Sequence, residues 1–156
     1  MVDGLVGSEM CIRDRSLGYL GLTPILVTVL LTWWNAEFIS FDGPTLFAGY
    51  SALILCFLAG AIWGRVLSGT SSRKGSFVLV GTNAIVVMAG TALLVSSKFF
   101  ITGILILSLG YAAILVGEFR SAKTLMSGVT LDYLQLRFIL TILIGLGHIG
   151  VIIAYV

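Results

Sequence analysis

Long apolar runs separated by short polar breaks dominate the pattern of this chain. Five of these runs are about as long as the 20 or so residues that a helix needs to cross a bilayer core about 30 Å thick. Strands are disfavoured, because a lone strand in lipid leaves its backbone groups unpaired and a barrel requires alternating polarity. The sequence therefore predicts an all-α, polytopic membrane protein, a five-transmembrane-helix bundle with spans near 17–35, 44–67, 76–95, 99–117 and 133–156.

The breaks between these spans carry polar or turn-forming residues. Residues 35–43 hold two acidic side chains, and Pro44 after them suits the first turn of a helix. The second break, 68–75, is rich in serine and glycine, the third is the tight turn 96–98, and the fourth is the long polar stretch 118–132. Each break thus agrees with the end of one helix and the start of the next.

Composition strengthens the membrane prediction. Hydrophobic residues make up 58% of the 156 residues and charged residues 10%, with a mean hydropathy of +1.12. An ordinary soluble domain has about 45–50% apolar and about 25% charged residues. The formal net charge of +2 is also too small and too scattered for a phosphate-binding surface. We therefore expect the lipid bilayer as the main partner, and no nucleic acid.

The first fifteen residues differ in character from the rest. Residues 5–15 read LVGSEMCIRDR, a string that resembles a transposase-type sequencing adapter translated in frame. We interpret 1–15 as non-native and 16–156 as a single five-helix transmembrane domain; the alternative is a short charged cytoplasmic tail. Without 1–15 the chain keeps seven basic and four acidic residues and one cysteine, Cys56, which has no partner for an internal disulfide.

Basic residues indicate the orientation of the spans, because Lys and Arg are in excess in cytoplasmic loops. Six of the seven basic groups of 16–156 fall on the side of the second and fourth breaks, and only Lys98 falls on the other. We therefore predict a multi-pass membrane protein with its N-terminus on the cytoplasmic, or matrix-equivalent, side and Val156 outside. Trp33 and Trp34 then fall at the outer interface and Trp63 near the inner one, where aromatic belts are expected.

Glycines within the spans indicate close helix packing. Gly60 and Gly64 form a GxxxG step in the second span, and the fifth span carries Gly145 and Gly147. Small residues let helix backbones approach each other in lipid. We interpret these glycines as packing residues, either within the bundle or at a face shared with a second copy. A ligand or ion path beside the thin helices is the alternative.

Three charged residues lie near the predicted inner ends of spans. A charge at a helix centre costs about 2.5–3.5 kcal/mol, whereas near an end it reaches the interface. Arg65, Glu118 and Arg137 share this depth, so Glu118 can pair with either arginine. We favour Glu118 with Arg137, since spans four and five are consecutive, and a structural clamp over a proton relay.

Other polar residues lie deeper. Asn83 is about 10 Å into span three and His148 about 20 Å into span five, at 1.5 Å per residue. We expect a neutral His148, hydrogen-bonded to Tyr111 near the middle of span four or to a backbone carbonyl. The alternative is a titrating group in a conduction path, because the pKa of histidine lies near physiological pH. Such a path requires a second ionisable group at midplane depth, and the sequence has none.

The sequence lacks the residue sets that intramembrane catalysis requires. Metal hydrolysis needs two histidines at helical spacing, and the chain has one. Aspartyl chemistry needs paired acids at depth, and neither a Gly-x-Ser-x-Gly motif nor a phosphate-binding loop is present. We therefore expect no enzymatic activity, no cofactor and no metal site.

Three strings resemble one known family. They are LGYLGLTP at 17–24, YSALILCFLAGAIWG at 50–64 and YLQLRFILT at 133–141. Together they resemble the domain of unknown function 3429, a family of small bacterial inner-membrane proteins that includes the eukaryotic transmembrane protein 69. The chain departs from the family pattern at Ile62, where a histidine is common, at Asp132, where a tryptophan is common, and in span three, which lacks the usual proline and tryptophan. The resemblance implies a five-span membrane protein with no assigned activity.

Two functions fit these observations. The first is a non-enzymatic integral membrane protein with a structural, assembly or interaction role, as a homo-oligomer or with another membrane protein. The alternative is a small-solute or ion transporter or channel component that uses Asn83, His148 and Arg137.

Overall fold

The computed structural model describes residues 20–38, 41–67, 73–122 and 131–156. Over these ranges the chain is helical apart from turns and one small hairpin. The segment 1–15, interpreted above as non-native, lies outside the described residues. In chain order the elements are α1 (Leu20–Trp33), β1 (Glu37–Phe38), β2 (Phe41–Asp42), α2 (Gly43–Leu67), α3 (Arg73–Ser96), α4 (Phe100–Ala122) and α5 (Leu131–Tyr155).

Four of the described helices, α2 to α5, are long and apolar enough to cross a membrane. Their bounds agree with the predicted spans within a few residues; α4 extends five residues beyond the predicted end at 117. The described part of α1, Leu20–Trp33, is shorter. At 1.5 Å per residue it covers about 21 Å, less than the bilayer core of about 30 Å. The structure thus shows four span-like helices and one shorter apolar helix where the sequence predicts a fifth span.

The end of α1 is fixed by its backbone. Asn35 has a φ of 48°, in the left-handed region that asparagine tolerates better than most residues. The N–H of Ala36 donates to the carbonyl of Leu31 at 2.9 Å, and the N–H of Asn35 to that of Thr32 at 3.2 Å. This pair of bonds is a Schellman cap. It ends α1 at Trp33, and the antiparallel β1–β2 hairpin that follows was not predicted from the sequence.

Two glycines allow consecutive helices to approach closely. A Cβ added at Gly43 would lie 2.5 Å from the backbone nitrogen of Thr32, where α2 begins beside the end of α1. A Cβ added at Gly103 would lie 2.5 Å from Cβ of Ser96 and 2.8 Å from the carbonyl oxygen of Ala92. Only glycine fits at such distances, so these positions set how tightly α1 meets α2 and α3 meets α4.

The helices form one packed bundle. α2 packs along α3 and α4, and α4 also packs against α5, whereas α2 and α5 touch little. α1 lies against α2 and α5: the Tyr50 hydroxyl donates to the Gly21 carbonyl at 3.1 Å, and Trp33 Nε1 donates to the Gly150 carbonyl at 3.2 Å. The centre holds fully buried apolar side chains, among them Phe47, Leu55, Ile104 and Leu107.

The outer surface of the bundle is apolar as well. Phe57 is 74% exposed, Phe77 77% and Leu94 78%, on three different parts of the α2–α3 surface. Exposing apolar area to water costs about 25 cal/mol per Å², so a chain with this surface is stable in lipid rather than in water. Span-like helices with apolar outer faces are the structure of an integral membrane protein.

Candidate functional site

An ion cluster joins α2, α4 and α5 near one end of the bundle. Glu118 on α4 is 1% exposed. Its Oε1 accepts hydrogen bonds from Arg137 on α5, at 2.9 Å from Nη2 and 3.2 Å from Nε. Nη2 of Arg65 on α2 lies 3.6 Å from the same oxygen. The three charged residues that the sequence placed at one depth therefore meet at one carboxylate.

Tyr133 completes this ion cluster. Its hydroxyl donates to Oε1 of Glu118 at 3.0 Å. It accepts from Nε of Arg137 at 2.8 Å and from Nη2 of Arg65. The guanidinium carbons of Arg65 and Arg137 lie 4.6 Å and 5.5 Å from the centre of its ring, within the range of cation–π attraction. Sequence reasoning missed Tyr133, although its position four residues before Arg137 places both on one face of α5.

These bonds stabilise the buried carboxylate of Glu118 in an apolar environment. An unpaired charge in the interior costs far more than a paired one, and a buried carboxylate needs its lone pairs used. Glu118 is offset by Arg65 and Arg137, so the three side chains carry a formal charge of +1. Among the described residues, the cluster thus brings two guanidinium groups and one carboxylate together at the edge of an apolar bundle.

A cavity of about 690 Å³ opens beside the ion cluster. Its polar end is formed by Arg65, Tyr133 and Arg137. Its walls are apolar and are formed by α2 and α5, together with Gly21 and Leu22 of α1. The apolar lining from α2 and α5 includes Leu53, Phe57, Ala61, Leu136, Leu140 and Ile144. The cavity thus combines a cationic end with a long apolar body.

A second polar group surrounds His148, deep in the bundle. His148 is 2% exposed, with Nε2 2.8 Å from Oγ of Ser51 on α2 and Nδ1 2.9 Å from Oγ of Ser108 on α4. Ser108 donates its one hydroxyl proton to the carbonyl of Ile104 at 2.9 Å, so it accepts from Nδ1–H. The hydrogen-bond network therefore places a proton on Nδ1 of His148; in the neutral imidazole Nε2 then accepts from Ser51.

Tyr111 belongs to the same group through its ring. The ring lies 5.5 Å from that of His148, while its hydroxyl donates to the backbone carbonyl of Ser51 at 2.7 Å. The partners of His148 are therefore two serine hydroxyls, where the sequence suggested Tyr111 or a backbone carbonyl. Sequence reasoning missed Ser51 and Ser108, although a polar residue within each of two apolar spans was the available signal.

Asn83 lies apart from both polar groups. It is exposed on α3, and its Nδ2 donates to the carbonyl of Leu79, four residues earlier on its own helix, at 2.9 Å. His148 and Arg137 are buried and bond to α2 and α4. The structure therefore does not bring Asn83 together with either residue.

The four predicted packing glycines divide into two kinds. A Cβ added at Gly147 would lie 3.3 Å from Cγ2 of Ile25 on α1, so this position is in close contact. A Cβ added at Gly60, Gly64 or Gly145 would meet nothing within 4 Å. These three glycines are therefore not used for packing between the described helices.

Among the described residues, no group of three or more His, Cys, Asp and Glu side chains is placed to hold a metal ion.

Comparison with known proteins identifies the family to which this chain belongs. The model of the family described as "Protein of unknown function (DUF3429)" matches residues 13–153, so this integral membrane protein belongs to that family. The resemblance found in the sequence is thereby confirmed. Searches of curated proteins and of solved structures found no match.

Proposed function

We propose that this protein is a non-enzymatic integral membrane protein that acts through helix packing, as a structural, assembly or interaction partner within the membrane. The observation that carries the proposal is the outward position of the GxxxG step on α2. Gly60 and Gly64 are both exposed, and neither would bring an added Cβ within 4 Å of another group. In lipid, such a step is the surface that lets a second helix approach.

The surroundings of the GxxxG step support the same proposal. Leu53, Phe57 and Leu67 are all more than half exposed on α2. With Gly60 and Gly64 they follow the spacing i, i+4, i+7, i+11 and i+14, which places all five on one face of the helix. Large side chains on both sides of a flat glycine surface give a partner helix a depression to enter. The partner is either a second copy or another membrane protein.

The membrane setting is part of this proposal. We place the chain in a bacterial inner membrane with five spans, α1 being the first, and with the N-terminus on the cytoplasmic side. Arg65, Arg120 and Arg137 lie near one end of the bundle, and Lys98 lies at the turn between α3 and α4 at the other end. The positive-inside rule puts the arginine-rich end in the cytoplasm.

The test replaces both glycines by a residue that blocks close approach. We expect Gly60→Leu with Gly64→Leu to dissociate the oligomer or release a co-purifying membrane protein in mild detergent, measured by size-exclusion chromatography with light scattering. Gly81→Leu with Gly90→Leu is the matched control, because both α3 glycines are also exposed and open. If the α2 pair leaves both the oligomeric state and the bound partner unchanged, the proposal is wrong.

Transport of a small solute is the second candidate, and the 690 Å³ cavity that reaches Arg137 is the observation in its favour. The sequence predicted a solute path that uses Asn83, His148 and Arg137 together. Because Asn83 lies apart from the other two, a solute path would have to use the cavity instead. Cysteine substitution at Thr141 on the cavity wall, in a Cys11→Ser, Cys56→Ser background, tests this. Labelling of this cysteine by membrane-impermeant reagents from both sides supports transport, and complete shielding excludes it.

Hydrolysis is not supported by either serine–histidine pair. Nδ1–H of His148 donates to Ser108, so His148 does not act as the base for that serine. The 2.8 Å distance between Ser51 Oγ and His148 Nε2 is that of a nucleophile and its base. However, Ser51 has no exposed surface, and the residues that line the smaller cavity between α4 and α5 include His148 and Ser108 but not Ser51. We therefore retain a non-enzymatic role, in which His148 joins α5 to α2 through Ser51 and to α4 through Ser108.

A further inference from the structure

We infer that the cavity between α1, α2 and α5 binds an anionic phospholipid, with its phosphate at the Arg65–Arg137 end and one acyl chain along the apolar walls. The cavity shares Leu53 and Phe57 with the face of α2 that carries the GxxxG step. The inference rests on the Arg65–Arg137 end and on the α5 wall, so it does not depend on the proposed function.

The charge at the polar end favours an anionic headgroup. Two guanidinium groups and one carboxylate meet there, so the charges of the three side chains do not cancel. Arg137 uses Nε and Nη2 in its bonds to Glu118 and Tyr133, and Nη1 takes no part in them. The planar fork of arginine suits a phosphate, which accepts two parallel hydrogen bonds from it.

The depth of this end matches that of a headgroup. Arg65 lies two residues before the end of α2, and Arg137 four residues after Tyr133, where the apolar part of α5 begins. At 1.5 Å per residue these positions are about 3 Å and 6 Å inside the ends of the two apolar spans. Basic pockets between transmembrane helices at this level are the sites where anionic headgroups bind.

The body of the cavity has the length and chemistry of an acyl-chain site. Along α2 its lining runs from Tyr50 to Arg65, which is about 22 Å at 1.5 Å per residue. One acyl chain crosses half of a hydrocarbon core about 30 Å thick, so the cavity is long enough for it. Leu53 and Phe57 line the cavity and are also 67% and 74% exposed, so it opens sideways to the bilayer. A lipid can therefore enter while its second chain stays outside.

The experiment measures lipid retained by the full chain. The protein, in detergent, is mixed with equal amounts of dioleoyl phosphatidylglycerol and dioleoyl phosphatidylcholine, and bound lipid is counted by native mass spectrometry. We expect one tightly held phosphatidylglycerol, about tenfold preferred, because the choline cation of phosphatidylcholine offsets the charge of its phosphate beside two guanidinium groups. Equal retention of the two lipids would overturn the inference. So would loss of bound phosphatidylglycerol on adding excess inorganic phosphate, which would indicate a site for free anions.

Two variants localise the bound lipid. Arg65→Gln removes one cation from the cavity end, and Ala61→Phe fills the apolar body without changing the charge. We expect each to weaken phosphatidylglycerol retention about tenfold or more. Their matched controls on α4 are Arg120→Gln and Ala113→Phe, at exposed positions that do not line the cavity. If the controls lose lipid to the same extent, the preference comes from surface charge or general disruption, and the inference is wrong. Should Arg65→Gln fail to fold, Ala61→Phe with its control still decides.

A photocrosslink identifies the occupant of the cavity directly. Benzoylphenylalanine in place of Leu136 puts the reactive ketone on the cavity wall formed by α5, a helix that does not carry the GxxxG step. In liposomes of phosphatidylglycerol, we expect irradiation to give a lipid adduct at this position. An adduct to residues 1–19 of the same chain, or to a second copy, would show that a polypeptide fills the cavity and would overturn the inference.

Discussion

Nη2 of Arg137 lies 2.9 Å from Oε1 of Glu118, and the two side chains are 9% and 2% exposed. Each side chain therefore provides the counter-charge of the other, in a setting where water contributes little solvation of either charge. Arg65, with 31% of its side chain exposed, approaches the same oxygen only to 3.6 Å. The pair between α4 and α5 is thus the inner part of the ion cluster, and the contact from α2 is the outer part.

Removal of the carboxylate should destabilise the bundle strongly. Glu118→Gln leaves two guanidinium groups near each other without their anion, and breaking a buried pair in this way costs about 3–5 kcal/mol. We expect a large fall in the thermal unfolding midpoint in detergent. Arg120→Gln, on the exposed last turn of α4, should change the midpoint little. A Glu118→Gln protein as stable as the wild type would show that the cluster contributes nothing to stability.

The hydroxyl of Tyr133 should matter separately from its ring. Tyr133→Phe keeps the ring beside both guanidinium groups but removes the donor to Glu118 and the acceptor from Arg137. We expect a loss of about 1–3 kcal/mol, the cost of leaving buried polar groups unsatisfied. Tyr133→Leu should cost more, because the cation–π contact is lost as well. Equal stability of the two variants would contradict this division of roles.

The His148 group should show coupling between its members. Ser51→Ala leaves Nε2 of His148 without its donor, which we expect to cost about 1–3 kcal/mol. In a His148→Leu background, Ser51→Ala should change the free energy of unfolding little, since the Ser51 hydroxyl then has no imidazole to which it can donate. A double-mutant cycle of unfolding free energies measures this difference. Additive effects of the two substitutions would mean that the 2.8 Å contact carries no energy.

The close approach of α1 and α2 should not tolerate a methyl group. Gly43→Ala would place Cβ 2.5 Å from the backbone nitrogen of Thr32, where neither chain segment has a flexible atom to move aside. We expect overpacking to cost about 1–3 kcal/mol. Gly90→Ala, in the open on α3, is the control and should change stability by less than about 1 kcal/mol. Comparable unfolding midpoints for the two variants would contradict the close approach.

Depth along a helix can be predicted from the sequence, whereas rotation about its axis is much harder to predict here. Span positions follow from apolar length, and Arg65, Glu118 and Arg137 were placed at one level because each lies a known number of residues from a helix end. The apolar residues of α2 surround the helix on all sides, so no polar stripe marks which face turns inward. For that reason Gly60 was not distinguished from Gly147, and the serines that bond to His148 were not found.

The other differences have separate causes. The Schellman cap at Asn35 and the hairpin after it depend on backbone angles in a short segment, where a run of polar and aromatic residues fits several turns. Asn83 was a candidate because of its depth alone. It lies on the lipid-facing side of α3, where its amide is satisfied by its own helix.

The ion cluster also has a mechanical consequence. α2 and α5 touch little along their length and are separated by the cavity, yet Arg65 and Arg137 hold both helices to the same atom of Glu118. Toward the opposite end, Oγ of Ser51 on α2 lies 2.8 Å from Nε2 of His148 on α5, and α1 links to α5 through Trp33 and Gly150. α5 is therefore fastened beside α2 at its ends rather than along a packed seam. The width of the gap between α2 and α5 depends on a few polar contacts, which can change without unfolding any helix.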